Sequence, residues 1–119
     1  MRMGLFSSKS AEEIHGDKIK EFLFEGEILE HVYGLVVDFV ALTNKRMIFV
    51  DKSVFSKETG VISVPYSKIE KIAIVKDKFW SLSDKIEVTT RSDKHELKLL
   101  QGKNEGLKFY TTLSKYICE

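Results

Sequence analysis

A chain of 119 residues carries one domain's worth of sequence, and its 43% apolar and 31% charged residues are ordinary globular values. This composition excludes wholesale disorder and a fibrous class. Lys and Arg (19) nearly cancel Asp and Glu (18), leaving +1, so no whole-molecule field draws the protein to nucleic acid or anionic lipid.

The single cysteine, Cys118, cannot form an internal disulfide, and the fold therefore does not call for an oxidising compartment. The run Leu35-Val36-Val37 is broken by Asp38 and falls far short of the roughly 20 apolar residues of a membrane-spanning helix. With no long apolar stretch near Met1 either, the expected location is the cytoplasm.

In chain order, Ser10-Ala11-Glu12-Glu13 reads as a capping box that opens a helix, with Ile14, Ile19, Phe22 and Leu23 as a loose apolar stripe. Gly16 weakens that helix. Beyond Gly26, short runs rich in Val, Ile, Phe and Tyr alternate with polar breaks, the pattern of an antiparallel β domain. Seven strands are expected: Glu27 to Tyr33, Val37 to Thr43, Arg46 to Asp51, Val61 to Val64, Ile69 to Lys76, Lys85 to Thr90 and His95 to Leu100. Pro65, the only proline, is expected to end the fourth, because it cannot donate to a ladder. From Asn104 the period changes. Leu107, Tyr110, Leu113 and Ile117, flanked by Phe109 and Tyr116, recur at helical spacing, with Asn104 as the expected N-cap.

The stretch Asp38 to Lys52 holds two apolar runs separated by Thr43-Asn44-Lys45-Arg46. A tight hairpin at Asn44-Lys45 places Val40, Leu42, Met47 and Phe49 on one face and Phe39, Ala41, Ile48 and Val50 on the other. Asn44 is expected to take positive φ there. Both faces are apolar, yet an antiparallel sheet needs only one face against its core. Burial inside one sandwich and self-association both account for the second face, and Phe39, Ala41, Ile48 and Val50 are the expected oligomer-interface residues. In the sixth strand Ile86 and Val88 point one way, Glu87 and Thr89 the other.

Gly26 to Lys52, followed by Ser63 to Val75, resembles the bacterial pleckstrin-homology domain family. The matching residues are Gly26-Glu27 before the first strand, Asp38 opening the second, Leu42-Thr43-Asn44-Lys45-Arg46 at the hairpin, and Pro65-Tyr66-Ser67-Lys68-Ile69. Where relatives often carry Arg before the Asp, this chain has Val37. The resemblance implies a mainly β fold of two nearly orthogonal antiparallel sheets capped by a C-terminal helix. Residues 1–25 then form an N-terminal helical extension and residues 26–119 the domain. It further implies ring-like homo-oligomers, and not inositol-lipid binding as a class property. The residues agree on the lipid: the first hairpin loop, Gly34-Leu35-Val36, has no cation, and Lys45 and Arg46 are too few to cradle a phosphoinositide.

No reactive or cofactor-binding constellation is present. His15, His31 and His95 lack metal-ligand spacing and read as ordinary histidines. Asp38 reads as a structural hydrogen-bond acceptor to backbone amides rather than a catalytic carboxylate. Cys118 has no His partner fixed beside it. In Lys76 to Lys85, Phe79 and Trp80 with Lys78 have three readings: a lid on the barrel, a protein or peptide contact, or insertion at a membrane interface. The chain is thus expected to be a non-catalytic interaction and assembly module with no cofactor, binding itself and a protein or peptide, with a peripheral membrane adaptor as the alternative.

Overall fold

The computed structural model describes residues 11–36, 38–51, 60–75, 83–100 and 104–119. Helix α1 spans Ala11–Lys20, followed by strands β1 (Leu29–Gly34), β2 (Phe39–Thr43), β3 (Arg46–Asp51) and β4 (Gly60–Pro65). A short 3-10 turn, Tyr66–Lys68, leads into β5 (Ile69–Val75), β6 (Ser83–Thr90) and β7 (Lys94–Leu100), and helix α2 (Glu105–Cys118) closes the chain. The seven expected strands and the terminal helix are all present, with boundaries moved by one or two residues. The strands form two antiparallel sheets, β1-β2-β3-β4 and β5-β6-β7.

The register explains where the side chains go. Val40 pairs with Phe49 and Leu42 with Met47, and all four enter the main core together with Ile86 and Val88 of β6, Leu97 and Leu99 of β7, and Phe109 and Leu113 of α2. One apolar face of each sheet and one stripe of a helix therefore share a single interior. The sheets join along one seam, where Leu35 bridges Leu99 and the Val36 amide donates to the Lys98 carbonyl at 2.9 Å.

The opposite face of β2 and β3 corrects an expectation. Phe39, Ala41, Ile48 and Val50 do share a face, but it is not an open oligomer surface: each is at most 5% exposed. Ile19 of α1 lies among them, with Leu23, Leu29 and Val32 packed around. The chain covers its own second apolar face, so the N-terminal helix is part of the fold. Its stripe is narrower than expected, since Ile14 and Phe22 are exposed and Ile19 alone is fully buried.

Three local expectations also change. Among the described residues the only non-glycine with positive φ is Asn104, at 57°; Asn44 does not take that conformation. Asn104 begins α2 without a side-chain cap, and its carbonyl accepts from the Lys108 amide. The buried stripe of α2 centres on Gly106, Phe109 and Leu113, leaving Leu107 exposed. Ser10 of the proposed capping box lies outside the described residues.

Candidate functional site

The motif residues separated in sequence converge at one corner. The Glu27 side chain is fully buried beside that of Arg46, which is 20% exposed. Arg46 donates from Nε to Glu27 Oε2 at 2.8 Å and from Nη2 to Oε1 at 2.9 Å, a two-pronged pair. Thr43 Oγ1 donates to Oε2 at 2.6 Å and the Phe24 amide to Oε1 at 3.2 Å. Four donors fill the acceptor capacity of this carboxylate. Burial alone would raise its pKa, but the bonds from Arg46 and Thr43 outweigh that and hold the carboxyl below its ordinary value.

The remaining donors of Arg46 are also engaged. Nη1 reaches Ser63 Oγ at 2.8 Å, Nη2 reaches the Phe22 carbonyl at 2.7 Å, and the guanidinium lies 5.3 Å from the centre of the Phe24 ring. The turn is shaped by side chains instead of by positive φ. Thr43 Oγ1 accepts from the Lys45 and Arg46 amides, both at 3.0 Å, while Asn44 Oδ1 accepts from the Ile28 amide at 2.8 Å. Tyr66 donates to the Thr43 carbonyl at 2.6 Å and stacks on Tyr116, whose hydroxyl bonds to Glu30. Thr43-Asn44-Lys45-Arg46 is therefore a structural clasp joining β1, the hairpin and the turn after β4. Only Lys45 is left facing solvent, so this corner builds no phosphate cradle.

The other sequence candidates sit apart. Asp38 faces α1, with Lys18 Nζ at 3.2 Å and His15 Nδ1 at 3.6 Å from its Oδ1. It anchors the helix to the start of β2, a partner set the sequence reading did not foresee. Phe79, Trp80 and Lys78 lie outside the described residues. Cys118 is exposed. Among the described residues no group of His, Cys, Asp and Glu has the arrangement of a metal site, and no helix is long and apolar enough to cross a membrane.

A recess remains where β4 runs into Lys68. It has a volume of about 450 Å³ and is lined by Ser63, Val64 and Pro65 on one side and by Arg91 and His95 on the other, with Lys68 at the bend. Among the described residues β4 pairs only with β3 and is the edge of its sheet. Its polar backbone groups can be oriented from the hairpin. The Asn44 amide bonds back to Ile28 of the β1 side at 3.0 Å, so Thr43 and Arg46 turn toward each other. Alternation along β3 then directs Met47 and Phe49 to their partners Val64 and Ile62. Val61, Ser63 and Pro65 consequently direct their backbone outward, the row in which a residue lacking N–H does no harm. Sequence patterning located β4 but gave no sign of this recess, since Lys68 and Arg91 are brought together only by sheet pairing.

The comparisons agree with this architecture. The family model described as "Bacterial PH domain" matches residues 1–117. The chain is 33% identical over 116 residues to the uncharacterized protein YozO of Bacillus subtilis (strain 168), covering 98% of this chain and 99% of that protein. It is 36% identical over 59 residues to the uncharacterized protein YjqA of the same organism, about half of each chain. Among solved structures it is similar to a pleckstrin homology domain from Shewanella amazonensis SB2B, with a TM-score of 0.70, 20% identity, and 92% of this chain and 100% of that chain covered. A DUF1696 family protein with a pleckstrin-homology domain from Shewanella loihica PV-4 gives 0.64 at 20% identity, covering 92% and 99%. Whole-chain coverage by the family model, with a relative of matching length, places this protein in the bacterial PH domain family.

Proposed function

We propose that this protein is a non-catalytic interaction module that takes up an extended protein segment by strand addition along β4. The observation that carries this reading is the exposed edge, with outward backbone at Val61 and Ser63, beside a recess of about 450 Å³. Backbone pairing supplies affinity to such a contact and the recess supplies selectivity. The buried polar groups of the described core are committed to one another, as the Glu27, Thr43 and Arg46 clasp illustrates, and leave no reactive pair for chemistry. Self-association, which the family resemblance implies, would use this same edge, because α1 occupies the outer face of β2 and β3.

The test uses a short uncharged peptide alternating Gln and Val, titrated into the full chain while the Val61 and Ser63 amides are followed by NMR, together with solution mass by light scattering. Ser63→Pro removes an outward N–H and no backbone bond to β3, and it also removes the Oγ that accepts from Arg46 Nη1, so the variant's fold is checked by its amide spectrum. Movement of the two amides in the wild type, with the Val61 amide unmoved in a folded Ser63→Pro variant, supports the reading. Amides that stay fixed, with a solution mass unchanged by Ser63→Pro, overturn it.

A further inference from the structure

Ile69 of β5 pairs with Thr90 of β6. Lys68, the last residue of the 3-10 turn, and Arg91, in the turn that joins β6 to β7, flank that pair, and both line the recess beside β4. Both are exposed, and among the described residues neither side chain has an ion pair or hydrogen bond. The single acid among the lining residues, Asp93, lies two residues beyond Arg91 and accepts a hydrogen bond from Ser92 at 3.4 Å, while its carbonyl receives the Thr90 amide at 2.8 Å. Among the described residues the recess thus carries two exposed cations and one acid, Asp93, at one end of the strand edge. Val64 and Pro65 form the apolar part of the opposite wall, while His95, on the side of Arg91, packs its ring on Phe49 at 5.2 Å.

We infer that the segment taken up along β4 is acidic, with a carboxylate seated between Lys68 and Arg91 and apolar side chains against Val64 and Pro65; this rests on the strand-addition reading above. A carboxylate can accept charge-assisted hydrogen bonds from both cations at once. A strand running along β4 presents alternate residues to the recess, so acidic and apolar side chains two apart meet the two walls in turn. A lipid headgroup satisfies the charges but leaves the outward amides of Val61 and Ser63 unused, which favours a peptide.

The experiment compares two fluorescent peptides, one repeating Glu-Thr-Val-Thr and one repeating Gln-Thr-Val-Thr, by anisotropy and by the Val61 and Ser63 amides. With two partly exposed ion pairs at stake, the acidic peptide is expected to bind about tenfold tighter at low salt, a preference that shrinks as ionic strength rises. Lys68→Gln with Arg91→Gln is expected to abolish the preference while the edge amides still respond to the Gln peptide. Each single substitution is expected to leave the melting temperature unchanged, since both side chains are exposed. Equal binding of the two peptides overturns the acidic preference and leaves strand addition standing. If neither peptide moves the edge amides, both ideas fall. Binding to phosphatidylserine vesicles that needs the same two cations, with no response at the edge amides, assigns the recess to lipid and also overturns the inference.

Discussion

Arg46 holds Glu27 through two nitrogens, at 2.8 and 2.9 Å, and with its remaining reach ties the Phe22 carbonyl and Ser63 to the same corner. One side chain therefore links the segment after α1, the β2–β3 hairpin and the edge strand β4. Removing either partner strands the other in a poorly solvated place, which costs about 3–5 kcal/mol for a buried pair. Glu27→Ala and Arg46→Ala are each expected to approach that range, read as a fall in urea midpoint. The double variant is expected to lose much less than the sum of the two, because neither charge is then left alone. Arg46→Lys is expected to behave more like a loss than a conservative change, since an ammonium cannot reproduce the fork.

The same pair gives the fold an acid limit. Glu27 titrates below its ordinary value of 4.5 when folded, because the bonds from Arg46 and Thr43 outweigh its burial. A depressed carboxylate contributes stability above the unfolded value and loses it as pH falls from there through the folded value. Stability is therefore expected to drop as pH falls below about 4.5. Glu27→Gln is expected to be less stable at neutral pH and to show a shallower loss in acid. Parallel acid limbs for wild type and variant, measured by urea unfolding across this range, would contradict the assignment.

Helix α1 is ten residues long, too short to be stable alone in water. It persists because Ile19 fills the face made by Phe39, Ala41, Ile48 and Val50. Ile19→Ala is expected to cost about 2–5 kcal/mol through lost burial and a residual cavity. Deleting residues 1–25 is expected to bare that face, giving dye binding or multimers on a sizing column. A truncated chain that stays monomeric and as stable as the full one would show that α1 contributes nothing to the fold.

Tyr66 reaches the Thr43 carbonyl at 2.6 Å from a largely enclosed ring, and burial pushes its phenol far above the ordinary value. Tyr66→Phe leaves a buried carbonyl short of one donor and is expected to cost about 1–3 kcal/mol. Tyr116→Phe loses a bond to the exposed Glu30 and is expected to cost less. Thermal melts of the two variants side by side check the order.

The strand list, the hairpin register and the division of β2 and β3 into two apolar faces were legible in sequence because each rests on alternation, a strictly local signal. What covered the second face was not, because Ile19 is a single apolar anchor in a weakly patterned helix and its contact with Phe39 spans twenty residues. The motif Thr43-Asn44-Lys45-Arg46 showed a turn and two cations. Its role as a clasp required Glu27, which alternation had placed inside a strand, although β1 starts only at Leu29. Lys68 and Arg91 became neighbours through the pairing of β5 with β6, and sequence spacing carries no trace of that.

His15 offers a gentler control over α1. Its ring stands 3.6 Å from Asp38 and packs on Phe39 with centroids 5.3 Å apart. Burial lowers its pKa, Asp38 pulls it back up and Lys18 lowers it again, with a net shift below the ordinary 6.5. A histidine held neutral by the fold contributes stability above the unfolded value, and that stability is lost as pH falls from 6.5 through the folded value. Asp38 faces the ring from the start of β2, and Lys18, on the same helix as His15, reaches the same carboxylate. Amide exchange in α1 is therefore expected to quicken, relative to β2 and β3, as pH is lowered from 7 toward 5.5, after correction for the intrinsic exchange rate. In His15→Asn that relative change is expected to vanish. Its survival in the variant would place the proton elsewhere and remove His15 as the titrating group.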